Sequence, residues 1–174
     1  MRCRPAEASG IPPDARAASC CSAPIAAPAA TPARLAWLER TLAEGAGRPT
    51  VLVMHHPPFA TGIAHMDAIG LLEGAAELGA LVARHPEIER VLCGHVHRAI
   101  EARWHGTIAS VAPSTAHQVR LDLSPKGASA FVMEPPGFQL HLWRDGLGIV
   151  SHTAAIGRFA GPYPFFDAGG KLVL

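Results

Sequence analysis

Two short apolar runs, each opening into a pair of histidines, restrict what this chain can fold into. "TVLVM" (Thr50 to Met54) is β-branched and lacks the polar alternation of a half-solvated strand, as expected of a strand covered on both faces. It delivers His55-His56-Pro57-Pro58 to a loop, because the prolines cannot continue a sheet interior. "IERVLC" (Ile88 to Cys93) repeats the plan and releases Gly94-His95-Val96-His97. Between them Leu71, Ala75, Leu78 and Val82 keep helical spacing until His85-Pro86 stops the pattern. Strand, helix, strand predicts a right-handed crossover between parallel strands. Both histidine loops then leave the C-terminal edge of the sheet, where open α/β sheets bind their ligands.

The flanking segments extend this reading. Thr31-Pro32 supplies an N-cap followed by proline at the first helical position, and Leu35, Leu38 and Leu42 share one face until Gly45, so a helix precedes the first run. From Ala99 onward short strands are expected. "IEARW" and "TIASV" flank His105-Gly106, "HQVRLDL" follows, and "FQLHLW" and "GIVSHTA" flank Asp145-Gly146, a hairpin signal. The aromatic stretch "RFAGPYPFFD" is expected to fold back over the core. Residues 1–30, rich in Ala, Pro, Ser and Arg, hold too few large aliphatics to offset their ordering entropy and are expected to be a disordered leader before a domain spanning 31–174.

A formal charge of +1 over 174 residues gives no reason to expect a nucleic-acid polymer or an anionic membrane as partner. No apolar run approaches the roughly 20 residues of a spanning helix. Three of four cysteines, Cys3, Cys20 and Cys21, fall in the leader and Cys93 stands alone, so no disulfide framework is expected and a reducing cytoplasm fits best. A small molecule is the expected partner, and self-association into a homo-oligomer is left open.

Half of the ten histidines need no special account: His65, His85, His105, His141 and His152 are isolated, at turns, or on alternating strand positions. His95 and His97 differ. Gly94 in front of them allows a tight turn from which two imidazoles diverge around a shared space, and His55 ends the neighbouring strand. Three imidazoles at one sheet edge point to a metal.

"VLVMHHPPF", the helix after it, "VLCGHVHR" and "SVAPSTAHQV" resemble the C-terminal half of a calcineurin-like metallophosphoesterase, in the branch of bacterial cyclic-nucleotide and glycerophosphodiester phosphodiesterases. The likeness runs from about Ala33 to the C-terminus. It implies an α/β fold, half of a four-layer αββα sandwich, with two divalent metal ions at the strand ends, among which Fe, Mn, Zn and Co are not distinguished. By the same resemblance His55 and His95 are ligands of one ion and His97 of its neighbour, His117 faces the substrate phosphate, and His56 stands behind the ligands. The implied substrate is a small phosphodiester, and His117 is the implied proton donor to the leaving alkoxide.

The chain departs from that family in one respect. D-x-H, G-D and G-N-H-[DE], which supply the remaining ligands, are absent, and there is no asparagine at all. Without the bridging carboxylate two dications repel each other unopposed. The expectation is therefore a partial version of a longer enzyme, active only when complete or when the missing half is supplied in trans. Two other readings compete with it: a non-catalytic remnant serving as a binding or assembly module, and a mononuclear zinc site built from His55, His95 and His97.

Overall fold

In the computed structural model, residues 19–22 and 29–173 are described. Four strands and two helices make the central layer and its cover. These are α1 (Pro32–Glu44), β2 (Thr50–Val53), α3 (Ala75–Ala83), β3 (Ile88–Cys93), β4 (Ile100–Trp104) and β5 (Thr107–Val111), with β1 (Ser19–Ser22) at one edge and the short α2 (Ala64–Asp67) between β2 and α3. The sheet runs β1-β2-β3-β5-β4, parallel except for the antiparallel β4–β5 pair. Two ribbons follow: β6 (Gln118–Val119) with β7 (Phe131–Val132), and β8 (Gly137–Arg144) with β9 (Gly148–Ala155).

Register explains the core. Leu52 pairs with Val91 and Val91 with Ala109, a row across three parallel strands that is fully withdrawn from solvent. Cys93 and Val111 form the next row. Leu38 and Leu42 of α1 and Leu78, Leu81 and Val82 of α3 join them in one apolar cluster, so the helices bury their leucine faces against this sheet. α1 begins as expected, with Arg34 N–H donating to the Thr31 hydroxyl at 3.4 Å and Pro32 in the first turn. Cys93 is a free, buried thiol, and burial pushes its pKa up to about 12.

The opposite face carries Arg90 and Ser110, both buried. Here the β8–β9 ribbon lies against β3: Trp143 Nε1 donates to the Glu89 carboxylate at 3.4 Å, and burial together with the nearby Arg90 guanidinium lowers the pKa of His141. Helices, sheet and ribbon thus stack in the order of a partial sandwich. The expected succession of parallel strands followed by antiparallel hairpins is what the chain forms.

Several boundaries differ from the sequence reading. The second helix starts at Ala75 and leaves Leu71 outside. Gly74 before it takes φ +77°, and the chain ahead pairs with the segment at Ala29–Ala30, where Ala30 N–H donates to the Glu73 carbonyl at 2.9 Å. "HQVRLDL" shrinks to the two residues of β6, because Asp122 accepts from the Ser124 N–H (3.0 Å) and hydroxyl (2.6 Å) and turns the chain away. Within the leader, Ser19–Ser22 pairs in parallel with β2, so the expectation of disorder does not hold for those four residues; the rest of 1–28 lies outside the described residues. Finally, Phe159, Tyr163, Phe165 and Phe166 are exposed. The aromatic stretch does not fold back over the core.

Candidate metal centre

The backbone ladder continues one step past the strands and ties the histidine loops together. Met54 N–H donates to the Leu92 carbonyl at 2.9 Å, and Gly94 N–H donates to the His55 carbonyl at 3.0 Å. On the other side Ala112 N–H donates to the Cys93 carbonyl at 3.0 Å and brings in the loop that carries His117. That loop is held by Gln118, whose amide donates to the Ser114 carbonyl (2.8 Å) and accepts from the Ser114 N–H (3.2 Å). Hydrogen bonds of the sheet itself therefore set the spacing of three loops that come from three distant parts of the sequence.

The tight turn is made differently from the expectation. Gly94 does not adopt a left-handed conformation; His95 (φ 69°) and His97 (φ 53°) do. Val96 N–H donates to the Gly94 carbonyl at 2.8 Å, and the Val96 side chain is buried, which pins the loop between the two histidines. Left-handed backbone at a residue with a Cβ costs on the order of 1–3 kcal/mol and persists where surrounding structure enforces it, commonly at functional sites. Gly94 instead lies alongside His55: a Cβ there would sit 3.6 Å from His55 Nδ1.

Five imidazoles gather at this edge in two groups. His55, His56 and His95 form the first, with ring centroids 4.7 Å (His55–His56), 5.2 Å (His55–His95) and 4.5 Å (His56–His95) apart. His97 and His117 form the second, at 5.0 Å, with Phe131 4.9 Å beyond His117. The sequence reading set His55 with His95 and His97 and left His56 behind them. In the structure His56 stands in the first group, whereas His97 turns toward His117. A donor atom from each of His55, His56 and His95 lies within 4.8 Å of the other two.

The donor chemistry fits a cation. Nδ1 of His56, Nε2 of His95 and Nδ1 of His97 are buried without any hydrogen-bond partner, and buried polar atoms left unpaired are rare enough to require a cause. Burial lowers the pKa of all three imidazoles, helped at His56 by His95 and His55, at His95 by His55 against an opposing hydrogen bond to the Met66 backbone, and at His97 by His117 and His55. The rings are thereby kept in the neutral form that ligates metals. No carboxylate belongs to the group. Asp67, in the next turn, is occupied by the Thr61 N–H and hydroxyl and the Gly62 N–H. Pro57, Pro58, Phe59, Met66 and Leu71 line a cavity of about 240 Å³ that starts one residue past His56.

No family model matches the chain. Among curated proteins, it is 42% identical over 140 residues to a probable glycerophosphodiester phosphodiesterase of Arcobacter nitrofigilis, covering 80% of this chain and 51% of that protein. It is 39% identical over 131 residues to a probable cyclic nucleotide phosphodiesterase of Rhodopseudomonas palustris (75% of this chain, 47% of the relative). The 3',5'-cyclic adenosine monophosphate phosphodiesterase of Escherichia coli K12 is 37% identical over 130 residues (72% and 45%). All three relatives are named as bacterial cyclic-nucleotide or glycerophosphodiester phosphodiesterases, and this chain is similar to them over most of its own length. It spans about half the length of the curated phosphodiesterases it matches. A solved dimetal phosphatase from Danio rerio aligns with a TM-score of 0.42 and 12% identity over 70% of this chain and 37% of that one.

Proposed function

We propose that this chain carries the histidine half of a metal-dependent phosphodiesterase acting on small diesters of the cyclic-nucleotide or glycerophosphodiester type. The observation that supports it most is the meeting of His55, His95, His97 and His117 at one sheet edge, where His95 and His97 each keep a buried, unpartnered ring nitrogen. His55 and His95 hold one divalent ion and His97 holds its neighbour. When bound, such a pair of ions neutralises phosphate oxygens and makes water a nucleophile near neutral pH.

The chain's own residues do the rest. His117, fixed by the Gln118–Ser114 amide pair, faces the phosphate and delivers a proton to the departing alkoxide. The cavity lined by Pro57, Phe59, Met66, Asp67 and Leu71 accepts the part of the diester that does not react. The left-handed turns at His95 and His97 keep both imidazoles aimed at the site before substrate arrives. Cytoplasmic residence suits a chain whose Cys93 is a free, buried thiol. Among the described residues no helix is long and apolar enough to cross a membrane.

The test is to join residues 31–174 to the upstream portion of a relative that contains D-x-H, G-D and G-N-H-D, and to assay bis-4-nitrophenyl phosphate and cyclic AMP with Mn²⁺. Hydrolysis that falls at least about 100-fold on His95→Ala is expected, in line with the loss of a group acting directly on the transition state. A folded fusion that stays inert with Mn²⁺, Zn²⁺, Co²⁺ and Fe²⁺ refutes the reading.

A further inference from the structure

We propose that His55, His56 and His95 hold one zinc-class cation in this chain by itself, with His56 as a direct ligand. The inference rests on the reading of this sheet edge as a metal centre, and it changes the identity of the third ligand. His56 is 7% exposed, and its Nδ1 has no hydrogen-bond partner. A buried imidazole with an unpaired ring nitrogen is unfavourable unless something binds it. The nearest groups able to share such a ligand are His55 and His95, not the backbone and not a carboxylate: the three donors lie within 4.8 Å of one another. His97, the third ligand in the mononuclear-zinc reading of the sequence, is outside that set and packs against His117.

Tetrahedral zinc with imidazole ligands needs donor nitrogens roughly 3.3 Å apart, from bond lengths of about 2.0–2.1 Å. The cluster must therefore tighten, and the exposed His55 is free to supply most of that movement by rotating its ring. Three imidazole ligands would leave a fourth position for a small ligand, and His55 is the exposed member of the group. With neutral ligands only, the bound ion keeps its full charge, so the open position favours an anionic oxygen, hydroxide or a phosphate, over a neutral ligand. Imidazole-only ligation selects Zn²⁺, Co²⁺, Ni²⁺ or Cu²⁺ and discriminates against Mg²⁺ and Ca²⁺.

The 174-residue chain is titrated with Co²⁺ and Zn²⁺ and followed by visible absorption and by equilibrium dialysis. One Co²⁺ per chain with the spectrum of four-coordinate cobalt is expected, and no binding of Mg²⁺. His56→Gln should weaken binding by more than about 100-fold, beyond the 10- to 100-fold that loss of an outer-shell partner costs, whereas His152→Gln, exposed on β9, should leave it within about threefold. Because His56→Gln risks misfolding, ring ¹⁵N spectra of the unsubstituted protein serve as the second readout: Zn²⁺ should shift the imidazole nitrogens of His55, His56 and His95 and spare His97. Shifts at His97 in place of His56, or loss of binding on His97→Gln alone, overturn the proposal and leave the phosphodiesterase reading in place. A thiolate charge-transfer band, which would assign the metal to cysteine, or no binding by the unsubstituted chain, also overturns it.

Discussion

At the residue scale, the buried histidines make the fold sensitive to acid. His56, His95 and His97 have pKa values below the ordinary 6.5, chiefly because burial penalises the charged ring, and His141 shares the direction. In the unfolded chain the same rings titrate near the ordinary value. As pH falls through about 6.5 the unfolded state takes up protons that the folded state refuses, and unfolding gains ground. The stabilising contribution is complete above that pH and is lost progressively toward the lower folded values. In metal-free buffer the melting temperature should therefore drop between about pH 7 and about pH 5, and a folded His97→Gln variant should show a shallower drop. Melting curves by circular dichroism at four or five pH values decide this. A melting temperature that holds or climbs on acidification contradicts the burial argument.

Glycine 74 carries the corresponding argument at the scale of elements. It separates α2 from α3 at φ +77°, and a Cβ there would run into the Ala30 backbone. Gly74→Ala thus combines left-handed strain with a clash and should cost about 1–3 kcal/mol, read as a lower urea midpoint at unchanged slope. A midpoint within error of the parent would show that the Ala30–Glu73 bridge does not restrain the start of α3. Gly74 also shows where sequence reading stops. Leu71 has the right spacing to belong to the helix, but the contact that excludes it is with Ala30, some forty positions away and silent in any local pattern. β2 and β3 were legible because each is a short run rich in β-branched and aliphatic residues that ends at a histidine loop, and α1 because Thr31-Pro32 and Gly45 mark its ends. β6 was overextended because Val119, Leu121 and Leu123 alternate like a strand while Asp122 and Ser124 bend the backbone. At the site, loop identity was legible from residue type alone. The partition into His55–His56–His95 and His97–His117 was not, since it depends on the left-handed turns at two histidines, and only rare sequences announce such turns without glycine or asparagine.

For the whole molecule, charge decides how many ions the site retains. Two divalent ions about 4 Å apart repel by roughly 16 kcal/mol at an effective dielectric of about 20. Neutral imidazoles leave that repulsion uncompensated, and among the described residues the histidine group contains no carboxylate. Asp67 cannot step in without giving up the three hydrogen bonds that hold Thr61 and Gly62. The second group, His97 with His117, is then too close to an occupied first site to retain another dication. Elemental analysis after incubation with excess Zn²⁺ and exhaustive dialysis should find one ion per chain. The same analysis on the fusion carrying D-x-H and G-N-H-D should find two, because an anionic bridge removes most of the penalty. Two retained ions in the unfused chain would mean that some other anion neutralises the pair, and would move the search to Glu and Asp residues outside the described group. One ion in the fusion would mean that the joined halves do not close around the histidine edge, and the loop hydrogen bond from Gly94 to His55 would be the first place to look for the distortion.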